Sequence, residues 1–172
     1  KYSVEITAES YLLSYIETDV VGNTLKIRTR GLYSLRENDK IEIYITTPVL
    51  NGVSLSGSGI VRTGDFMSDD FHATLSGSGD IDALISTDKL KANVSGSGTI
   101  YLEGDAFASE FVISGSGKIK SYKLEQEICV AAISGSGDMY VNVNEAIDAH
   151  ISGSGKVFYI NNPTIRSSVS GS

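Results

Sequence analysis

The 172-residue chain has no tryptophan, one cysteine, two prolines and two histidines. A lone Cys129 cannot close an internal disulfide, so a disulfide-stapled scaffold is excluded and cysteine gives no sign of an oxidising compartment. Positive charge is scarce as well: 14 Lys and Arg stand against 21 Asp and Glu, a formal net charge of −7. Proteins that bind nucleic acid draw affinity from Lys and Arg displacing counterions, so this balance excludes a DNA binder. No run approaches the ~20 apolar residues of a membrane helix, which argues against a transmembrane span. There is no signal peptide, and the chain starts at Lys1 rather than Met. We therefore expect a mature form from which an export segment has been removed. The length suits one compact domain with a real core.

What the chain has in excess is small residues, 18 Gly and 25 Ser. Thirteen of the glycines fall in one recurring motif, so the bias is periodic and not that of a flexible linker. SGSG occurs at 56–59, 76–79, 95–98, 114–117, 134–137 and 152–155, and SGS ends the chain at 170–172. The spacings are 20, 19, 19, 20, 18 and 18 residues. That period is too short for a propeller blade or a helical repeat and suits one coil of a parallel β-solenoid.

The flanks of the motif read as strand. Leu55, Leu75, Val94, Ile113, Ile133, Ile151 and Val169 precede it, and Val61, Ile81, Ile100, Ile119, Met139 and Val157 stand two residues after it. Phe71, Ala73, Leu90, Ala92, Cys129, Ala131, Ile147 and Ala149 share their parity, the period of two of a strand with one buried face. Phe71, Leu75, Ile81, Leu90, Val94, Ile100, Ile113, Ile133 and Ile151 are the expected core. The glycines of the motif share the inward parity and the serines point out. Inward glycines leave room for the wall to bend or to approach the opposite wall.

Stacked coils turn each position into a column. The position after SGSG reads Ile60, Asp80, Thr99, Lys118, Asp138, Lys156, and its last three members alternate in charge. Two residues later the column reads Arg62, Asp82, Tyr101, Lys120, Tyr140, Phe158, placing a lysine between two tyrosine rings. Calcium-binding nonapeptide rolls are rejected because the double glycine is missing and 19 or 20 is no multiple of nine. Hexapeptide helices fail because Thr87 and Asn93 stand where Ile81 should recur. Parallel crossovers prefer the right hand. The expected fold is all-β: a single-stranded right-handed parallel β-helix with 18–20 residues per coil.

Residues 1–50 differ. Tyr2–Thr7, Thr24–Arg30 and Lys40–Thr47 alternate like strands, and Glu9–Val20 has apolar residues at helix-like spacing. Gly22-Asn23 reads as a turn, and Glu37–Asp39 is a polar separator. This stretch is expected to be a β-rich N-terminal cap with a short helix, closing a solenoid of residues 51–172 within one domain.

YIETDV, a following strand, YITTPVLNGVSLSGSG and recurrent SGSG, in this order, resemble the auto-transporter adhesin, head GIN domain family, first defined as a domain of unknown function. The resemblance covers nearly the whole chain. It implies a right-handed parallel β-helix of pectate-lyase-like shape, export to the bacterial envelope (outer membrane, periplasm or cell surface), often with a lipid anchor, and adhesion. It brings no catalytic residues.

The residues themselves offer little catalysis. His72 and His150 lie about four coils apart, roughly 19 Å at the stacking distance of strands, too far to cooperate. No general base accompanies the SGSG serines, and an inward Cys129 is a small hydrophobe rather than a nucleophile. Asp65, Asp69, Asp70, Asp80 and Asp82 form the densest acidic group, with Arg62 and His72 near; we read it as a solvated loop, not a metal site. The Ser-x-Ser columns could form a hydroxyl array, but serine suits a tight bend, where its hydroxyl can cap backbone groups. No cofactor is called for. The candidate contact surface is the stripe Tyr101, Lys120, Tyr140 and Phe158, facing a surface glycan or protein receptor. A non-enzymatic exported adhesin or surface-binding module is the expected function; a carbohydrate-active enzyme and a structural spacer are the rivals. The last strand, with Ile165 and Val169 at inward parity, leaves an open edge through which the protein could form a homo-oligomer.

Overall fold

The computed structural model describes residues 1–31 and 39–171. The chain divides into two compact units, Lys1–Pro48 and Val49–Ser172.

The first unit is two antiparallel pairs and one turn of helix. Strand β1 (Ser3–Ala8) pairs with β4 (Ile41–Thr46), and β2 (Ile16–Val21) pairs with β3 (Thr24–Thr29) across Gly22-Asn23. The helix expected over Glu9–Val20 shrinks to α1 (Ser10–Leu13), with Leu12 buried. Leu12, Leu13, Ile16 and Val20 do fit a helical face, but Ile16, Thr18 and Val20 also alternate. The two-residue turn then supplies a partner strand, and β-branched residues favour that outcome. Glu37 and Asn38 of the expected polar separator lie outside the described residues.

The second unit is the solenoid. Strands β5 (Gly52–Gly57), β6 (Ile60–Gly77), β7 (Asp80–Gly96), β8 (Thr99–Gly115), β9 (Lys118–Gly135), β10 (Asp138–Gly153) and β11 (Lys156–Ile160) pair in sequence order, and β12 (Thr164–Ser170) pairs with β10. All these pairings are parallel. They make a β-solenoid of about 6 turns. Strands of 16 to 18 residues span most of a coil and bend where pairing lapses, as at Asp69 and Asp88. SGSG is thus a corner between consecutive coils and not a hairpin turn.

Inward parity becomes the core as expected. Leu75, Val94, Ile113 and Ile133 stack in one buried column, and Ile81, Ile100, Ile119 and Met139 in another. Ile151 is the exception among the expected core residues. It packs against the core but is only half-buried, because its neighbour on β12, Val169, is itself 63% exposed and shields it poorly. Phe111 shows how volume is balanced. It stacks between Ala92 and Ala131, so one large ring fills the space that two small neighbours leave. Burying such a ring contributes up to about 3 kcal/mol.

The glycines of the corner follow the inward parity, but the cause is different from open interior space. Gly96 has φ +123°, and a Cβ there would lie 2.5 Å from the Gly77 carbonyl oxygen of the previous rung. That oxygen accepts the N–H groups of Ser97 (2.9 Å) and Gly98 (3.0 Å). The close approach is along the stack, rung to rung, and not across the coil.

Among the described residues four polar ones are buried: Thr87, Ser109, Ser121 and Gln126. Ser109 Oγ donates to Gln126 Oε1, and Gln126 Nε2 donates to Ser121 Oγ (3.3 Å) and to the Asn142 carbonyl (3.4 Å). Among the described residues no buried side-chain nitrogen or oxygen lacks a partner, as a dry core requires.

Candidate contact surface

Tyr101, Lys120, Tyr140 and Phe158 occupy one outward column on β8, β9, β10 and β11, each paired with the next. Arg62 and Asp82 continue it on β6 and β7. The column resolves into matched neighbours. Arg62 Nε lies 3.5 Å from Asp82 Oδ2, Lys120 Nζ lies 5.2 Å from the Tyr101 ring centroid, and Tyr140 stacks on Phe158 at 4.9 Å and 12°. The lysine therefore caps Tyr101, while Tyr140 turns to the other ring. Lys120 and Phe158 are exposed, and Tyr101 and Tyr140 half-buried.

Tyr122 joins this surface, meeting Tyr140 edge-on at 5.6 Å. Pairing jumps from Tyr101↔Lys120 to Glu103↔Lys123, so β9 carries one extra residue there and Tyr122 emerges at the irregularity. Two hydrogen bonds fix it: Asn142 Nδ2 donates to the Tyr122 carbonyl (3.2 Å), and buried Ser121 Oγ donates to the Tyr140 carbonyl (2.9 Å). The only sequence signal is the coil length of 20 residues between the SGSG motifs at 114 and 134, which announces an insertion without placing it. Beside it, Lys123 Nζ lies 2.7 Å from Glu103 Oε1, and that hydrogen bond and charge raise the lysine's pKa.

The adjacent column aligns as expected, with Lys118, Asp138 and Lys156 on consecutive rungs. None of the three forms an ion pair within 4 Å among the described residues. For exposed pairs the Coulomb gain hardly exceeds the entropy of fixing two side chains.

The other candidates separate. His72 and His150 are exposed on β6 and β10, and His150 Nε2 lies 3.2 Å from Asp148 Oδ1. Cys129 is fully buried, and desolvation pushes its thiol up to about 11, against a small opposing effect of the Ser109 hydrogen bond. Asp65, Asp69 and Asp70 lie on β6 rather than on a loop, because the coil stays extended through them. A shallow hollow of about 290 Å³ includes Asp69, Asp88 and Asp105 in its lining, and Ser86 Oγ donates to Asp105 Oδ1 at 2.7 Å. Among the described residues no three acidic, histidine or cysteine side chains converge on a common cation position. The first serines of the SGSG motifs do stack in register outside, from Ser56 to Ser170. A second hollow of about 330 Å³ lies beside Ser114, Ser134, Ser152 and Ser170. The capping role expected of their hydroxyls is not seen at Ser76, Ser95 or Ser114, which form no side-chain hydrogen bond among the described residues, since the previous rung already accepts the local N–H groups.

Residues 1–163 match the family described as putative auto-transporter adhesin, head GIN domain. The chain belongs to that family. A putative adhesin from Bacteroides fragilis has the same architecture, with 30% identity over 99% of this chain and 79% of its own and a TM-score of 0.88. A putative adhesin from Parabacteroides distasonis (19% identity, 98% and 81% covered, TM-score 0.74) and a putative lipid binding protein from the same species (21%, 98% and 80%, 0.64) share the fold. No curated protein matches the chain in sequence. The family and the Bacteroides fragilis structure thus carry descriptions as putative adhesins, and one structure of the same fold carries a description as a putative lipid binding protein. Among the described residues no helix is long and apolar enough to cross a membrane.

Proposed function

We propose that this head GIN chain is a non-enzymatic binding module exported to the bacterial envelope, where the Tyr101–Lys120–Tyr140–Phe158 column holds a surface glycan or a protein receptor. The alignment of these four side chains on adjacent rungs carries the reading. A solvated column has no need of rings, and partly exposed aromatics in a row are typical of contact surfaces. Family membership supports adhesion and an envelope location. The scattered histidines and the inert thiol offer no nucleophile–base pair, which is why we read binding and not catalysis.

A glycan array probed with the wild type, Tyr101→Ala and Tyr140→Ala tests this. Ligands retained by the wild type and lost by both variants are expected. Full retention by both variants, with unchanged melting, would move the contact surface elsewhere, and a wild type that retains nothing would leave a spacer.

A further inference from the structure

The charge around the rings runs against the rest of the solenoid. Residues 49–172 hold 8 Lys and Arg and 14 Asp and Glu. On β8 to β11, the aromatic column and its neighbour carry Thr99 and Tyr101, Lys118 and Lys120, Asp138 and Tyr140, and Lys156 and Phe158. Three lysines stand there against one carboxylate. On β6 and β7 the same two columns hold Ile60, Arg62, Asp80 and Asp82, so the sign of the surface reverses between the two ends of one stripe. Lys118, Lys120 and Lys156 are exposed and form no ion pair within 4 Å among the described residues. Lys123, in contrast, is occupied by Glu103.

We infer that the ligand of this column is an acidic polysaccharide, laid along the solenoid axis with its sugars against the exposed parts of Tyr101, Tyr140 and Phe158 and its anionic groups on Lys118, Lys120 and Lys156. The inference rests on the column being the contact surface, and adds the charge of what binds there. An ammonium is a point charge that accepts a carboxylate or a sulfate without fixed geometry, and charge-assisted hydrogen bonds are the stronger kind. The site is repetitive, one side chain per rung at about 4.8 Å, which suits a linear polymer of repeating units better than a single headgroup. Tyr122, Tyr140 and Phe158 cluster, but Lys118, Lys120 and Lys156 stand on the same rungs as these rings, which favours an anionic polymer over entry into a lipid surface. A phosphate polymer with one charge per about 1.7 Å would meet repulsion from the carboxylate-rich flanks.

The test compares polymers that differ only in charge: polygalacturonate with its methyl ester, and dextran sulfate with dextran, each titrated against the wild type at low and high salt. At least one acidic member should bind about tenfold or more tighter than its neutral partner, a difference of about 1.4 kcal/mol, and salt should close the gap. The triple variant Lys118→Gln, Lys120→Gln, Lys156→Gln should abolish the preference, and Tyr140→Ala should weaken binding of both members. Its melting transition serves as the folding control, and a Lys89→Gln, Lys91→Gln variant on the same solenoid should keep the preference. Neutral and acidic members bound alike through the tyrosines would overturn the charge inference and leave the contact surface standing. No polymer bound, or binding indifferent to Tyr140, would overturn both. Vesicles of phosphatidylglycerol or duplex DNA bound as tightly as the acidic polymer would also overturn the inference, by showing attraction to charge alone.

Discussion

The SGSG corner and the Tyr101–Phe158 column lie on the same rungs, the column three residues after the last glycine of the motif, and they repeat in opposite ways. The corner is nearly identical on every rung. The column changes on every rung, yet its neighbours match as an ion pair, a cation on a ring, and two stacked rings. Invariance in the corner is imposed by backbone: a left-handed φ and a carbonyl one rung away leave no place for a side chain. Variation in the column is allowed because only side chains meet there, and any complementary pair stabilises the stack. Repetition therefore marks what the fold requires, and departures from it mark where a ligand can be read.

The largest effect should come from breaking the corner. Gly96→Val places a β-branched residue at φ +123°, with its Cβ 2.5 Å from the Gly77 carbonyl that accepts two N–H groups. Strain and overpacking together should cost about 3 kcal/mol or more. Gly64→Ala is the control, since a Cβ there meets nothing within 4 Å and its φ is not in the left-handed region. Denaturant unfolding of the two variants should separate them clearly; equal stabilities would show that the corner tolerates side chains.

The next effect is in the core and depends on pH. The folded Cys129 thiol titrates at about 11, above its ordinary value of 9.0. Below pH 9 both folded and unfolded thiols hold the proton, and the full contribution is present. Between pH 9 and 11 the unfolded chain releases its proton first, so stability falls as pH rises, by an amount of order 2 kcal/mol. Cys129→Val should flatten that part of the pH profile, and labelling of the wild type by iodoacetamide near neutral pH should be limited by unfolding. Rapid labelling of the folded protein would contradict a sealed core.

Much of this comparison was legible beforehand, because a stack repeats its register. Once SGSG fixes one position, Tyr101, Lys120, Tyr140 and Phe158 must align. What repetition cannot reveal is where a coil takes up an extra residue. Tyr122 and buried Gln126 belong to the 20-residue coil between 114 and 134, and their places depend on hydrogen bonds to Ser121, Ser109 and Asn142 that no spacing announces. The segment 9–20 was ambiguous for another reason: its apolar residues satisfy both periods, and only pairing across Gly22-Asn23 decides. Ile151 departs from its expected burial because parity tells which way a side chain points, and not how well the next rung covers it.

The column itself should matter less for stability than for binding. Tyr140→Ala removes one stacked pair and one edge contact from a half-buried site. A loss of about 1 kcal/mol or somewhat more is expected, from the pair contacts and the partial burial. Unfolding by more than about 3 kcal/mol would show the ring to be part of the core, and any loss of ligand in that variant would then need the lysine variants to interpret it.

The smallest effect sharpens the comparison most, because it sits beside the largest. Ser95 precedes Gly96 and stacks with serine on the rungs to either side. Its hydroxyl is exposed and makes no hydrogen bond among the described residues, and the N–H groups after it, at Ser97 and Gly98, are already bonded to the Gly77 carbonyl. Ser95→Ala removes neither a packed atom nor a partner, and alanine accepts the same extended backbone. The change in unfolding free energy should stay within about 0.5 kcal/mol. Serine is then invariant for being small and polar at a corner, and its hydroxyl contributes nothing to the fold. A loss above about 1 kcal/mol would instead give the hydroxyl the value of a made hydrogen bond, and the two halves of the motif would no longer differ in kind.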